Sequence, residues 1–403
     1  MCLPREDINH ILSDHLKSNN YEFISCESLN TEDVSIGFLS SQGKICIKFR
    51  FEGKIQKLHI FIKTLPQSLY HRQKIIFSGG FHREVELYNK LLNNFHELIV
   101  DNTIPKCYLA RSDDIVVLED LTFKGFKNKN VFEPLDLLHC KKTLETIAKF
   151  HAASFIMEKT AACKIDELVP VIKKEVVMSK DNKTYKRAFK IGTKTLKKIT
   201  EIYLAHYPID LINKAFQYME SVGDKMKSSE LYPNVLSHSD LWLNNIMFRY
   251  DDNGKLMKAC ILDFQIATYK APSFDIQLFL HTCTDRELRD RHYYLLLRHY
   301  FHSLGVELSF SDVSINDIMT WNDFENMLKE TLPVIITLSP LFLHFVLMPP
   351  DIMKGIMKDD DKFKYYMEED RTDSILLAMQ ENEHYKQRLL QAMTEFFNFF
   401  NSN

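Results

Sequence analysis

The stretch VLSHSDLWLNNIMFRYDDNGKLMKACILDFQIATYKAPSFDIQLFL, residues 235–280, sets polar side chains around one β-hairpin signal. His238-x-Asp240 is followed by Asn245, five positions after the aspartate, and Asp263-Phe264-Gln265 opens 18 positions beyond Asn245. Apolar runs at 245–249 and 258–262 flank the turn-forming Asp251-Asp252-Asn253-Gly254, which predicts two short strands. Phosphoryl transfer from a nucleotide needs a carboxylate to orient or deprotonate the acceptor hydroxyl, and hard oxygen ligands to hold Mg²⁺ on the phosphates. Asp240, Asn245 and Asp263 supply such a set, and an Asn carbonyl with Asp carboxylates suits Mg²⁺ better than imidazole or thiolate. A lone His-x-Asp is commonly a helix cap or a core hydrogen bond. Joined to Asn245 and Asp263 on a hairpin, it points to a kinase-type site.

Upstream, residues 5–18 place Ile8, Ile11, Leu12 and Leu16 on one helical face. GKICIKFRFEGKIQKLHIFIKTLP (43–66) alternates at 45–49 and 58–62 around Glu52-Gly53-Lys54, a hairpin signal. FHREVELYNKLLNNF (81–95) carries Val85, Tyr88, Leu91 and Leu92 at helical spacing, and IPKCYLA and DIVVLEDL read as strands separated by Arg111-Ser112-Asp113. From Leu135 the pattern turns helical, beginning with LLHCKKTLETIAKFHAASFIM (137–157). The expected architecture is α+β and bilobal: a small β-rich lobe over 1–121 and a larger helical lobe over 122–403 that carries the 235–280 hairpin.

Composition narrows the function classes. Lysine plus arginine total 51 against 54 aspartates and glutamates, a net charge of -3, so no global pull toward nucleic acid exists. Eleven glycines in 403 residues exclude collagen-like and Gly-rich linker designs. The eight cysteines never form a CxxC pair, and MCLPREDINHILSDHL lacks an apolar signal core, so a reduced cytoplasmic setting is expected. Residues 171–200 hold ten Lys/Arg against Glu175 and Asp181, read as a solvated helical surface. LPVIITLSPLFLHFVLMPP (332–350) is free of formal charge, but Pro333, Pro340, Pro349 and Pro350 argue against a membrane span and for buried, interrupted helix.

HSDLWLNNIMF resembles the HGDLWxNN element of the ecdysteroid kinase-like family, also called CHK kinase-like proteins, which are small-molecule kinases of the protein-kinase-like fold. LDFQ and Pro272-x-x-Asp275 are similar to its DFQ and PxxDL elements. Aminoglycoside and choline phosphotransferases share the broader HxDxxxxN pattern without the LW and DFQ details. The resemblance implies ATP and Mg²⁺ as cofactors and phosphorylation of a hydroxyl on a small hydrophobic molecule, an ecdysteroid or a hydroxylated xenobiotic. It implies Asp240 as the base, Asn245 and Asp263 as metal ligands, and Lys63 (in FIKTLP) on the α- and β-phosphates. Glu84 (in FHREVELY) would orient Lys63, with Arg83 and Glu86 as alternatives if that helix is rotated. Backbone groups of Glu119, Asp120 and Leu121 would meet adenine. His238 and Asp275 would support the loop, and His151 (in KFHAASF) would pack as a structural residue.

The same resemblance places acceptor binding in the C-terminal part, where Phe342, Phe345 and Met348 could line an apolar pocket. A cationic acceptor such as choline would instead want acidic walls, for which Asp359-Asp360-Asp361 and Glu368-Glu369-Asp370 are the candidates, although both runs read as exposed surface. Two departures stand out. The phosphate-covering loop, SIGFLSSQG (35–43), is poor in glycine and leaves Ser40 and Ser41 as phosphate contacts. Ser239 replaces the usual glycine between His238 and Asp240, which is expected to reduce activity. Both departures would suit a nucleotide-binding pseudokinase scaffold. A metal hydrolase using His238, Asp240 and Asp263 is a further alternative.

Overall fold

The computed structural model describes residues 3–29, 41–66, 68–98, 103–112, 114–175 and 183–402. Helix α1 (Arg5–Leu16) precedes strands β1 (Glu22–Leu29), β2 (Ser41–Phe51) and β3 (Lys54–Thr64). Helices α2 (Leu69–Ser78), α3 (Gly80–Leu87) and α4 (Asn93–Leu98) lead to β4 (Cys107–Arg111) and β5 (Ile115–Glu119). The strands form one antiparallel sheet in the order β1-β2-β3-β5-β4. Glu52 and Gly53 both take positive φ, 50° and 75°, as primed two-residue hairpin turns require, and the resulting register pairs Gln42 with Lys63 and Lys63 with Val116. β1 and α2 were not expected. The edge strand β1 buries neither face cleanly, so its sequence lacks the period-2 signature.

One face of the sheet packs under α1, where Ile8, Ile11 and Leu12 meet Ile45, Ile47, Ile60 and Ile62. On the other face, α3 and the turn after it enter a core shared with the helical lobe, in which Val85, Tyr88 and Val116 join Phe150, Ile261 and Phe264. The helix expected over 81–95 is instead α3, a π-helical turn at Tyr88–Leu92, and α4. Such a turn inserts one residue and rotates the helix beyond it, letting Tyr88, Leu91 and Leu92 all be buried.

The helical lobe begins with β6 (Phe126–Lys127), α5 (Leu137–Ala161), α6 (Ile165–Leu168), α7 (Lys183–Tyr203) and α8 (Ile209–Ser221). Next come β7 (Val235–Ser237), β8 (Ile246–Tyr250), β9 (Leu256–Ile261) and β10 (Thr268–Lys270). β8 pairs with β9 as the expected hairpin, and β10 pairs with β7 so that Thr268 faces Ser237. α9 (Ser273–Cys283), α10 (Arg286–Ser309), α11 (Trp321–Val346), α12 (Pro350–Met357), α13 (Asp360–Glu368), α14 (Thr372–Glu381) and α15 (Glu383–Ser402) complete the chain.

The 332–350 segment is mostly buried and partly helical, as expected: α11 runs unbroken through Pro333 and Pro340 but stops at Val346, before Pro349 and Pro350. An interior proline costs about 3 kcal/mol. A capping box at Thr320 and Asp323 starts the helix, and burial of Val334, Ile335, Leu338 and Leu343 in the C-terminal core outweighs the two lost ladder bonds. By length and composition α11 could cross a membrane, yet 61% of its most apolar window is buried inside the protein. On α7, Arg187, Lys194, Lys197 and Lys198 each reach a carboxylate, as expected for a solvated charged surface.

Candidate active site

Lys63 leaves the end of β3 and is buried. Its ammonium lies 2.7 Å from Glu84 Oε2 on α3 and 3.1 Å from Asp263 Oδ1. Burial works against that charge, but the Asp263 and Glu84 carboxylates outweigh it and hold the Lys63 pKa above the ordinary lysine value. Of the three candidates on α3, the structure turns Glu84 inward. Arg83 donates to Ala267 O at 2.6 Å and to Lys174 O at 2.8 Å, and Glu86 pairs with Lys90 one turn on. Gly80 lets α3 start against the Asp263 loop, since a Cβ there would stand 3.3 Å from Gln265 O.

Asp240 sits on the loop between β7 and β8. Asn245 Nδ2 donates to the Asp240 carbonyl at 2.9 Å and to its Oδ2 at 3.0 Å, and Leu262 N donates to Asn245 O at 2.9 Å. These bonds lock Asp240, Asn245 and the start of the Asp263 loop into one cluster. Burial first, and the Asp263 charge second, push the Asp240 carboxyl well above the usual carboxylate range, against the opposing bonds from Asn245 and Trp242.

His238 and Asp275 hold this loop from beneath. His238 Nε2 donates to Leu262 O at 2.6 Å, while its Nδ1 accepts from Asp240 N at 3.2 Å, so both ring nitrogens are engaged. Asp275, fully buried at the start of α9, accepts from His238 N (2.7 Å), Ser239 N (2.8 Å), Ser237 Oγ (2.8 Å) and His151 Nε2 (3.1 Å). Burial alone would raise its pKa, yet the His151 and backbone bonds hold it below the usual value. His151 lies on α5 and also meets Tyr300 OH at 2.8 Å, a packed residue as expected. Ser237 and Thr268 escaped sequence reading. Their only signal was small hydroxyls in otherwise apolar strands.

Ser239 and Asp263 take φ of 63° and 84°, so the chain is left-handed on both sides of the site. For residues other than glycine such conformations cost about 1–3 kcal/mol and persist where surrounding bonds over-determine them. Sequence suggested that Ser239 intrudes. Instead, its hydroxyl lies in a buried polar niche 2.7 Å from Thr268 Oγ1 and 3.0 Å from Ser237 Oγ.

Several expected contacts need revision. Ser40 lies outside the described residues, and Ser41 does not sit in a loop but opens β2 opposite Thr64. In the connector, Glu119 N and Asp120 N donate to Lys106 O and His59 O, and Leu121 O accepts from Lys124 N and Phe126 N. That leaves Asp120 C=O and Leu121 N–H without a backbone partner among the described residues, one acceptor and one donor. The Glu119 carboxylate binds Lys106 N and Lys124, and that of Asp120 binds Thr122 and Lys44. Met348 is buried in the C-terminal core, and Phe342 and Phe345 pack against it. In the acidic runs Asp359 caps α13, Asp360 binds Ser68, Glu368 binds Tyr70, Lys74 and Arg187, and Asp370 binds Lys194, while Asp361 and Glu369 are exposed.

The oxygen donors fit a magnesium ion. Asn245 commits its side-chain Nδ2 to Asp240, leaving its side-chain Oδ1 without a protein partner among the described residues, and the Asp263 side chain keeps 25% of its surface exposed. Both ring nitrogens of His238 are engaged within the protein, which leaves the imidazole no lone pair for the metal of the hydrolase alternative.

A β-sheet lobe contributing a buried lysine–glutamate pair, set over a helical lobe contributing an HxDxxxxN loop and a DFx loop, defines the protein-kinase-like fold. The model of the ecdysteroid kinase-like family matches residues 37–310, more than half of the chain, and the chain belongs to that family. No curated protein matches the sequence closely enough to be counted a relative.

Proposed function

We propose that this protein is an ATP- and Mg²⁺-dependent phosphotransferase acting on a hydroxyl of a small hydrophobic molecule, an ecdysteroid or a hydroxylated xenobiotic. One observation carries the reading: Lys63, Glu84 and Asp263 are ion-paired in the same cluster that holds Asp240 and Asn245. The acceptor oxygen bonds to the γ-phosphorus, the bond to the β-phosphate oxygen breaks, and ADP leaves. Asp240 orients the hydroxyl and takes its proton, a role suited to a carboxyl whose pKa is raised by burial. Lys63, fixed by Glu84, binds phosphate oxygens, and Asp120 C=O and Leu121 N–H, without a backbone partner among the described residues, would meet the adenine edge. Mg²⁺ held by Asp263 and Asn245 would neutralise phosphate charge.

A hydrophobic acceptor is favoured over a cationic one because Asp360, Glu368 and Asp370, three of the six acidic residues that could wall a choline-like site, are bound to the protein's own cations and hydroxyls. The scaffold alternative loses support from Ser239, whose side chain is accommodated. The test is incubation with Mg²⁺·ATP and a panel of sterols, phenols and choline, read by mass spectrometry. A gain of one phosphate on a sterol or phenol is expected. ATP binding with no phosphorylated acceptor would favour the scaffold, and phosphocholine alone would overturn the hydrophobic assignment.

A further inference from the structure

Thr268 Oγ1, Ser239 Oγ, Ser237 Oγ and Asp275 Oδ1 form a continuous chain with successive separations of 2.7, 3.0 and 2.8 Å. None of the four residues is more than 5% exposed. The last member dictates the direction of every proton. Asp275 is an ionised carboxylate and can only accept, so Ser237 donates to it. Ser237 then accepts from Ser239, and Ser239 accepts from Thr268. Hydroxyls polarised in one direction toward a buried charge strengthen one another. The chain joins two different loops, since Ser239 immediately precedes Asp240 and Thr268 is the first residue of β10, directly after the loop that begins at Asp263.

We propose that Ser239 is a positioning residue: through this hydroxyl chain it ties the Asp240 loop to the end of the Asp263 loop and so sets the separation of the two carboxylates. A glycine would adopt the left-handed backbone more freely but could not make the tie. The inference deepens the phosphotransferase reading and rests on it for its kinetic readout.

The test uses full-length Ser239→Ala, Ser239→Gly, Thr268→Val and the Ser239→Ala/Thr268→Val double variant. Each single variant is expected to lower kcat about 10-fold while KM for ATP stays within about twofold. The double variant should be no slower than the slower single one, because both changes cut the same chain. Ser239→Gly should melt at or above Ser239→Ala yet recover none of the rate. Recovery of rate by the glycine variant, a wild-type kcat in Ser239→Ala, or additive losses in the double variant would each overturn the proposal. A second readout needs no turnover: in a Trp321→Phe background Trp242, two residues after Asp240 and donating its backbone N–H to the Asp240 carbonyl at 3.2 Å, is the sole tryptophan. Ser239→Ala and Thr268→Val should then change Trp242 emission and acrylamide quenching non-additively. If the wild-type protein phosphorylates no acceptor, the phosphotransferase reading fails alone. The Trp242 signal then decides, with non-additive changes supporting the tie and an unchanged signal in both variants sinking it.

Discussion

The Asp240 loop and the helices after residue 310 bury charge in opposite ways. Beneath the loop, the Asp275 carboxylate meets four donors from three elements, and every bond is 3.1 Å or shorter. Between α13 and α14, Arg371 is 2% exposed and, among the described residues, has no carboxylate within ion-pair distance and no partner for its Nε; its Nη1 stands 3.4 Å from His344 Nε2 and its Nη2 is 3.4 Å from Ala188 O. Phe345 and Tyr366 supply ring faces to that guanidinium at 5.4 and 5.0 Å. A saturated polar network enforces one geometry, whereas an under-paired charge only has to be tolerated by the packing around it. The saturated network lies within the family-matched residues 37–310, and the under-paired charge lies beyond them.

The contrast can be broken in order of expected effect. Asp240→Asn should lower kcat by about 10²- to 10⁴-fold while leaving ATP binding largely intact, measured by turnover and calorimetry together. Wild-type turnover in that variant would remove Asp240 from the chemistry. Asp275→Asn touches no substrate in this reading, yet it leaves buried donors without a charged acceptor. Chemical denaturation should show a loss of about 3–5 kcal/mol, together with slower turnover.

In the C-terminal helices the sign should change. Arg371→Met exchanges an under-paired buried cation for an apolar side chain, so stability should stay within about 1 kcal/mol or rise. A loss as large as that of Asp275→Asn would abolish the distinction. The smallest effect concerns pH. Burial, and next the Arg371 charge, push the His344 pKa down to about 3, and its Nδ1 donates to Pro340 O, so the folded protein keeps this ring neutral. Its folded pKa lies below the unfolded value of 6.5, so its stabilisation is complete above pH 6.5 and is lost as pH falls toward 3. Between pH 7.5 and 5.5 the wild-type protein should lose roughly 1 kcal/mol more than His344→Gln, measured by denaturant titration at each pH.

Much of the site was legible because kinase-type chemistry is written in short local spacings. His238, Asp240, Asn245 and Asp263 occupy one hairpin, and a hairpin's two strands find each other through the turn between them. Lys63 was legible for a similar reason, since it ends a strand whose alternation is plain. The acidic runs at 359–361 and 368–370 read correctly as mostly exposed surface, but the groups they bind were not legible, for the converse reason. Their partners Ser68, Tyr70, Lys74, Arg187 and Lys194 lie far away in sequence, on α2, its cap and α7. That α11 continues through Pro333 and Pro340 was not legible, because proline cost is local and visible, while the burial that overrides it comes from neighbouring helices.

The amino-acid order alone determined the two-lobed α+β plan, the hairpin and the identity of the oxygen donors, because strand alternation, helical period and motif spacing act over a few residues. The folded structure decided which of Arg83, Glu84 and Glu86 turns toward Lys63, since the close packing of the start of α3 against Gln265 and the bonds of Arg83 to Ala267 O and Lys174 O set the helix rotation. It also decided that Ser239 belongs to the support of the site rather than obstructing it. Its partner Thr268 is brought alongside only by the pairing of β7 with β10, a contact between strands about 30 residues apart that no local pattern announces.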